Sequence, residues 1–189
     1  MRLCSIQDNR FAYRKNVLPT SMHPSQAALI VSLAKPYLKE TAQIMDPFCG
    51  VGTLLIERAH LVPAREIYAT DTYGDAITMG RENAAFAKTR INFIHRDFFD
   101  FRHDYKFDEL ITDMPVRNRQ TKAEMELFYE RFFDKAAEHL VSGGIIVMYS
   151  NEIGFVKKQI RLRVEYRLLQ ETCILDKKDF YLFVIRYED

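Results

Sequence analysis

A chain of 189 residues, 48% of them hydrophobic and with 27 basic against 26 acidic side chains, has the length and apolar content of one ordinary domain with a full core. Its net charge of +1 excludes recognition of nucleic acid by bulk electrostatics, no apolar run approaches the ~20 residues of a membrane span, and the opening Met1-Arg2-Leu3-Cys4-Ser5 runs into polar Gln7-Asp8-Asn9-Arg10 without the apolar core of a signal peptide. Three widely spaced cysteines, Cys4, Cys49 and Cys173, make neither a disulfide framework nor a metal cluster, which favours a reducing, cytoplasmic setting.

Residues 3–6 and 11–17 flank Asp8-Asn9 and predict a small hairpin. Residues 20–25 then form a loop entering a helix, with Ser21 or Ser25 as cap and Pro24 in the first turn. Ala27, Ile30, Val31 and Ala34 recur at helical spacing and Pro36 closes the helix. Residues 1–40 thus read as a lead-in hairpin and helix, followed by a core over 41–189 within one domain.

The stretch Ile-Met-Asp-Pro-Phe-Cys-Gly-Val-Gly-Thr-Leu-Leu-Ile-Glu, residues 44–57, predicts a buried strand end, a tight loop at Gly50 and Gly52, and a helix from Thr53 to Leu61 ended by Pro63. Glycines let such a loop turn sharply and approach a ligand, and the free N–H groups of the helix start seat an anionic group. A phosphate loop needs a lysine that this stretch lacks; a dinucleotide loop needs a third glycine where Leu55 stands, and Asp46 would set a negative charge beside a pyrophosphate. Asp-x-x-x-Gly-x-Gly better suits a zwitterion, its carboxylate at the helix N-terminus and its ammonium facing the acid. The methionine end of S-adenosylmethionine is such a zwitterion.

The string Asp-Pro-Phe-Cys-Gly-Val-Gly-Thr-Leu-Leu-Ile-Glu resembles the class I S-adenosylmethionine-dependent methyltransferases and, more narrowly, the THUMP-associated RNA methylase family, whose members are mostly guanine-N2 methyltransferases. The resemblance implies a cofactor loop of Asp46, Pro47, Phe48, Cys49, Gly50, Gly52 and Thr53. The lead-in, Phe-Ala-Tyr-Arg (11–14) and Pro-Thr-Ser-Met-His-Pro (19–24), also resembles that family, and places His23 either beside the cofactor or in a purely structural role. In such relatives a THUMP-bearing, RNA-recruiting region comes first, so this chain is expected to be the catalytic domain alone.

Residues 66–71 predict the next strand, ending on Asp71, 19 positions beyond Gly52 (71 − 52). An acid about 20 residues past a glycine loop hydrogen-bonds ribose hydroxyls in open α/β folds. The alternative, a helix cap, competes with Gly74-Asp75. Residues 76–88 predict a helix with Ile77, Gly80, Ala84 and Ala87 on one face, and 91–94 a third strand followed by Asp97. The resemblance assigns Asp97 to the adenine amino group; a plain turn aspartate is the other reading. A fourth strand at 107–112 delivers Asp113-Met114-Pro115-Val116 to the same edge.

Residues 123–140 carry a broad apolar stripe, Met125, Phe128, Tyr129, Phe132, Phe133, Ala136 and Leu140, read as core and not as a base-stacking platform. Ser142-Gly143-Gly144 is expected to stop that helix before a fifth strand at 145–149, a short helix at 152–160, and a hairpin of 164–175 with 180–187 across Asp176-Lys177-Lys178-Asp179. Alternating strands and helices predict an α/β fold with a mostly parallel sheet and helices on both faces. The closing hairpin adds one antiparallel strand, giving the seven-stranded Rossmann-like architecture that the resemblance implies. The ligand crevice belongs outside the C-terminal strand ends, where Asp46, Asp71, Asp97 and Asp113 converge.

The fourth strand ends in Asp-Met-Pro-Val-Arg-Asn-Arg, where the family carries Asn/Asp-Pro-Pro-Tyr/Phe. The resemblance implies that Asp113 and the Met114 carbonyl each accept one N–H of an exocyclic amine, aiming its lone pair at the methyl group. Pro115 keeps Met114 out of the helical region. Val116 stands where the family's aromatic stacks on the base, Arg117 where a glycine is usual, and Arg119 matches a common basic residue; all three are candidates for touching substrate. Arg117, Arg119 and Lys122 either hold phosphates or form a solvated loop, and Lys157, Lys158, Arg161, Arg163 and Arg167 read as an exposed face. No Pro-Cys nucleophile is present, and His23, His60, His95, His103 and His139 lack metal-ligand spacing. The expectation is a methyltransferase using S-adenosylmethionine, without metal or membrane, acting on guanine N2 of tRNA or rRNA recruited by an N-terminal region absent from this chain. Alternatives are an amine methyltransferase on adenine or protein glutamine, or a cofactor-binding pseudoenzyme assisting an RNA-binding partner.

Overall fold

The computed structural model describes residues 9–175 and 179–189. Seven strands, β1 (Gln43–Asp46), β2 (Glu66–Asp71), β3 (Asn92–His95), β4 (Phe107–Asp113), β5 (Leu140–Ser150), β6 (Tyr166–Leu175) and β7 (Phe180–Tyr187), form one sheet in the order β3-β2-β1-β4-β5-β7-β6. All neighbours are parallel except β7, which runs antiparallel to both β5 and β6. Five helices, α1 (Pro24–Ala34), α2 (Thr53–Leu61), α3 (Gly74–Phe86), α4 (Lys122–His139) and α5 (Ile153–Leu162), connect them. This is the Rossmann-like sheet with one reversed strand that the alternation predicts.

All four residues of β1 are buried, as a central parallel strand covered on both faces requires. Ile44 points into a core with Ala27, Ile30, Leu55, Ile77 and Val147, beneath α1, α2 and α3. Its neighbour Met45 points to the opposite core, with Phe132, Phe133, Ile146, Phe155 and Phe183, beneath α4 and α5. The α4 stripe is core, as expected; each fully buried phenylalanine there stabilises the fold by about 1.5–3 kcal/mol. Beneath α2, the buried Arg58 guanidinium pairs with Glu109 of β4 at 2.8 Å and donates to the Val62 and Lys39 carbonyls, which satisfies a charge pair otherwise too costly to bury.

Several expectations need correction. Of the hairpin, residues 3–6 lie outside the described residues, and 11–17 are turn and extended backbone, not strand. Their amides have different partners: Ala12 N and Arg14 N donate to the Asn9 and Phe11 carbonyls at 3.0 and 3.1 Å, Lys15 N is shared between Tyr13 O at 2.8 Å and Asn83 Oδ1 at 3.0 Å, and Asn16 N donates to Asn83 Oδ1 at 2.9 Å. The cap of α1 is His23, whose ring accepts from Ser25 N, and α1 ends at Ala34, with Pro36 inside a 3-10 turn over Lys35–Tyr37. α3 starts at Gly74, two residues early. Ser142-Gly143-Gly144 does not separate helix from strand. α4 passes at His139 straight into β5, and the glycines form an irregularity within the strand, where the pairing with β4 shifts register. Gly143 has φ +79°, and a Cβ on Gly144 would meet the Val141 carbonyl at 2.8 Å, so this kink needs both glycines. The turn at 176–178 lies outside the described residues.

Candidate functional site

β1 delivers Asp46 to the C-terminal edge of the sheet, and a loop then turns into α2. Asp46 Oδ1 accepts from Phe48 N at 3.0 Å, the first bond of that turn. Gly50 has φ +51°, and a Cβ there would meet nothing within 4 Å, so its side faces open space. Gly52 has φ +79°, and its Cβ would stand 2.8 Å from the Phe93 ring. Gly50 is therefore the glycine that leaves room for a ligand, whereas Gly52 is required by the left-handed backbone and by packing on β3. β2 is stitched to the loop: Cys49 N donates to Thr70 O, Thr70 Oγ1 to Pro47 O, and Gly50 N to Asp71 Oδ2, at 3.0, 2.9 and 2.8 Å.

These elements enclose a crevice of about 380 Å³, within the usual range of small-molecule sites. The β1–α2 side contributes Asp46, Phe48, Cys49, Gly50, Thr53 and Asp71, and the end of β4 contributes Asp113, Met114, Pro115 and Val116. Met114 N donates to Tyr149 O at 2.9 Å, which fixes that peptide against β5. Leu18, Thr20, Ser21 and Met22 of the lead-in, Val51 and Leu54 of the glycine loop and α2, and Asn118 complete the lining. The sequence reading missed these seven residues. Resemblance of the lead-in was a usable signal, but it pointed to His23, which is exposed and caps α1, its Nδ1 2.7 Å from Ser25 Oγ.

Other expected site residues stand outside the lining. Pro47 supplies only its carbonyl to Thr70, and Gly52 packs on Phe93. Asp97 is not part of the lining, unlike Asp46, Asp71 and Asp113; its Oδ1 accepts from Phe99 N at 2.9 Å and caps the 3-10 turn Phe98–Asp100. Arg117 and Arg119 are exposed beyond the rim, with Arg117 Nε 3.8 Å from Glu152 Oε1. The second basic run is largely neutralised, since Lys157, Lys158 and Arg163 pair with Glu171, Glu126 and Asp134.

Burial dominates the electrostatics. Asp46 is 2% exposed, and burial pushes its carboxyl up to about 8 against the opposing bond from Phe48 N, with Asp113 and Asp71 adding repulsion. Burial likewise lifts Asp113 to about 7. The Cys49 thiol is pushed well above its ordinary range by burial and by the Asp46 and Asp71 charges, so it is no nucleophile. Thr53 Oγ1 is buried without a partner, at the end of α2 whose first N–H groups are free of helical acceptors. A buried acid facing a helix start with an orphaned hydroxyl fits a ligand carrying an ammonium beside a carboxylate. Among the described residues, no group of three His, Cys, Asp or Glu side chains is placed to hold a metal.

A model of the RMKL-like methyltransferase domain matches residues 12–173. A tRNA (guanine(10)-N2)-dimethyltransferase of Methanothermobacter thermautotrophicus is 32% identical over 157 residues, 79% of this chain and 46% of that protein. A release factor glutamine methyltransferase of Lactococcus lactis is 25% identical over 155 residues, 72% of this chain and 56% of the other. Among solved structures, TrmN from Thermus thermophilus has a TM-score of 0.77 at 22% identity, over 95% of this chain and 52% of that one. Trm5 of Methanocaldococcus jannaschii, in complex with adenosine, gives 0.68 at 19% identity, over 89% and 51%. The two structural likenesses speak to the fold. The chain spans about half the length of these relatives.

Proposed function

The chain belongs to the RMKL-like methyltransferase-domain family, and on that premise we propose that it methylates an exocyclic amine, guanine N2 in a transfer or ribosomal RNA, with S-adenosylmethionine as donor. The observation that carries this reading is Asp113, which ends β4 in the same crevice as Asp46 and Gly50 with its carboxyl lifted to about 7 by burial. In this reading Asp46 faces the cofactor's ammonium, the start of α2 with Thr53 Oγ1 takes its carboxylate, and Asp71 takes the ribose hydroxyls. Asp97 is left one carboxylate oxygen, Oδ2, for the adenine amino group, because Oδ1 serves Phe99.

Bound there, S-adenosylmethionine supplies a methyl group on a positively charged sulfur. The protein's task is to prepare the acceptor. An exocyclic amine is a poor nucleophile because its lone pair is delocalised into the ring. Asp113 and the Met114 carbonyl each accept one N–H and turn that lone pair toward the methyl group. When nitrogen takes the methyl it must lose a proton, and a carboxylate with a pKa near 7 can take it and release it again. Arg117, Arg119 and Lys122 are proposed to hold phosphates near the rim. A chain of net charge +1 with its second basic run paired has little else to attract RNA, so we assign recruitment to a THUMP-type region outside these residues and the setting to the cytoplasm. Among the described residues, no helix is long and apolar enough to cross a membrane.

The likeness to tRNA (guanine(10)-N2)-dimethyltransferase supports the RNA reading. Val116 favours a second one: it is 50% exposed and offers no ring to a base, and a protein glutamine needs none. The likeness to a release factor glutamine methyltransferase points the same way. Nucleoside mass spectrometry of RNA from a deletion strain, with peptide mass spectrometry of release factors from the same cells, separates them. Loss of N2-methylguanosine supports the first; intact RNA with an unmethylated glutamine replaces it with the second.

A further inference from the structure

Asn83 lies in α3, fully buried, and spends its whole amide on backbone outside its own helix. Oδ1 accepts from Lys15 N and Asn16 N at 3.0 and 2.9 Å; Nδ2 donates to Asn16 O at 2.9 Å and, more weakly, to Val51 O at 3.4 Å. The helix interior gains nothing intrinsic from asparagine, which has poor helical propensity. Its partners are the informative part. Lys15 and Asn16 begin the stretch whose continuation, Leu18, Thr20, Ser21 and Met22, lines the crevice, and Val51 sits between the two loop glycines and lines it too.

Among the described residues, the lead-in has no strand partner to hold it. Tyr13 Oη donates to the buried Glu57 of α2 at 2.5 Å, which anchors the segment upstream. Arg14 Nη2 donates to Ser21 O and Met22 O at 3.4 and 3.3 Å, and Leu18 N donates to Ser21 Oγ at 2.9 Å, which rounds off the turn at the crevice. Between these, among the described residues, the Asn83 amide ties the strap to the glycine loop, and Asn16 Nδ2 adds a bond to Glu82 Oε2 of the same helix at 2.6 Å.

We propose that Asn83 is a positioning residue for the crevice: it latches the 14–22 strap against the Gly50–Gly52 loop, so that this wall of the cofactor site is in place before the ligand arrives. The inference rests on the reading of the crevice as the S-adenosylmethionine site, and Asn83 itself touches no ligand. A side chain that merely filled the core would be replaceable by leucine without consequence for the crevice. A latch would not, because leucine keeps the branched shape and loses every one of the bonds.

The test uses the whole chain as wild type, Asn83→Leu, Asn83→Asp and Arg14→Met, each checked for cooperative thermal unfolding. One readout needs no cofactor. Cys49 lines the crevice and is buried, whereas Cys173 is exposed, so maleimide labelling mapped by mass spectrometry reports strap opening with an internal reference. The second readout is S-adenosylhomocysteine affinity by calorimetry. Asn83→Leu and Arg14→Met should each speed Cys49 labelling relative to Cys173, and weaken S-adenosylhomocysteine, on the order of tenfold, the scale of one or two net hydrogen bonds. Asn83→Asp, which keeps the acceptor for Lys15 and Asn16, should fall between wild type and Asn83→Leu. Folded variants with wild-type Cys49 protection and affinity overturn the latch, and should Asn83→Leu fail to fold, Asn83→Asp decides by the same criterion. Faster Cys49 labelling in a protein whose wild type does not bind S-adenosylhomocysteine supports the latch and sinks the cofactor reading.

Discussion

The carboxylate of Asp71 accepts from Gly50 N at 2.8 Å through Oδ2 and from Tyr73 N at 2.8 Å through Oδ1, so the acid that ends β2 also shapes the loop that follows β1. Spacing alone assigns Asp71 to a ligand's ribose; the structure shows that it already organises the neighbouring backbone. In the proposed reading, ligand and loop therefore depend on the same side chain.

Asp71→Ala should accordingly cost more than a ribose contact. We expect S-adenosylhomocysteine binding to weaken by about 1–3 kcal/mol for the charged hydrogen bonds alone. Asp71→Asn keeps one acceptor for the backbone and should lose less. Calorimetry on the three proteins checks this; equal affinities would show that Asp71 is only a loop support with no ligand at its free lone pairs.

Asp46 and Asp113 fix the pH response. Both carboxyls are raised, to about 8 and about 7, by burial, so their protonated forms favour the fold. Their contribution to stability is complete below the unfolded carboxylate value near 4 and is lost as pH rises through 7 and 8. The ligand-free protein should therefore melt at lower temperature at pH 8 than at pH 5.5, and Asp46→Asn should flatten that slope. Methyl transfer runs in the opposite direction. It needs ionised Asp113 and should rise with pH through about 7 before levelling. A melting temperature indifferent to Asp46→Asn across that range would remove the burial argument.

Gly52 offers a stability test independent of chemistry. Gly52→Ala meets both a left-handed φ of +79°, costing about 1–2 kcal/mol, and the Phe93 ring at 2.8 Å. Gly50→Ala meets only the backbone cost, because nothing lies within 4 Å. Urea unfolding should rank Gly52→Ala as the more destabilised, and Phe93→Leu should recover part of the difference in the double variant. Strict additivity would show that the ring is not the cause.

These loops also show which parts of the architecture a sequence can display. The passage from β1 through α2 was legible to the residue, because a buried apolar strand, two loop glycines and Pro63 are all local signals. The 11–17 segment was misread because its first amides close local turns and those of Lys15 and Asn16 reach one side chain 68 and 67 positions away, a pairing with no period to detect. Asp97 was assigned to the adenine amino group by resemblance, with a plain turn aspartate as the other reading; the structure shows it capping the 3-10 turn, and a short acid after a strand looks identical in both roles. Gly143-Gly144 was read as a helix stop because a strand kink and a helix end call for the same residue. The crevice's aspartates at the ends of β1, β2 and β4 were found by topology; its lead-in wall, held by Asn83 and Arg14, was not.

Asp113 and Val116 separate chemistry from binding. In the proposed reading Asp113 is the carboxylate at the end of β4 that accepts from the amine, since Met114 contributes only its backbone and Val116 has no polar atom. Asp113→Ala should abolish methyl transfer and leave S-adenosylhomocysteine affinity within a few-fold, because the cofactor contacts proposed here come from Asp46, α2 and Asp71. Val116 is half exposed at the mouth, so a larger ring has room there. If the acceptor is a base, Val116→Tyr should lower KM for RNA, since stacking contributes about 1–3 kcal/mol per base. Arg117→Ala should raise KM, and by more than a phosphate contact alone if its guanidinium plane stands in for the missing ring. The measurement is transfer of a labelled methyl group into unmodified RNA, with the natural recruiting region supplied. Val116→Tyr without effect on RNA, together with labelled release factor, would move the acceptor to protein glutamine. Identical background from wild type and Asp113→Ala on both substrates, with cofactor bound in each, would leave a domain that holds S-adenosylmethionine and transfers nothing.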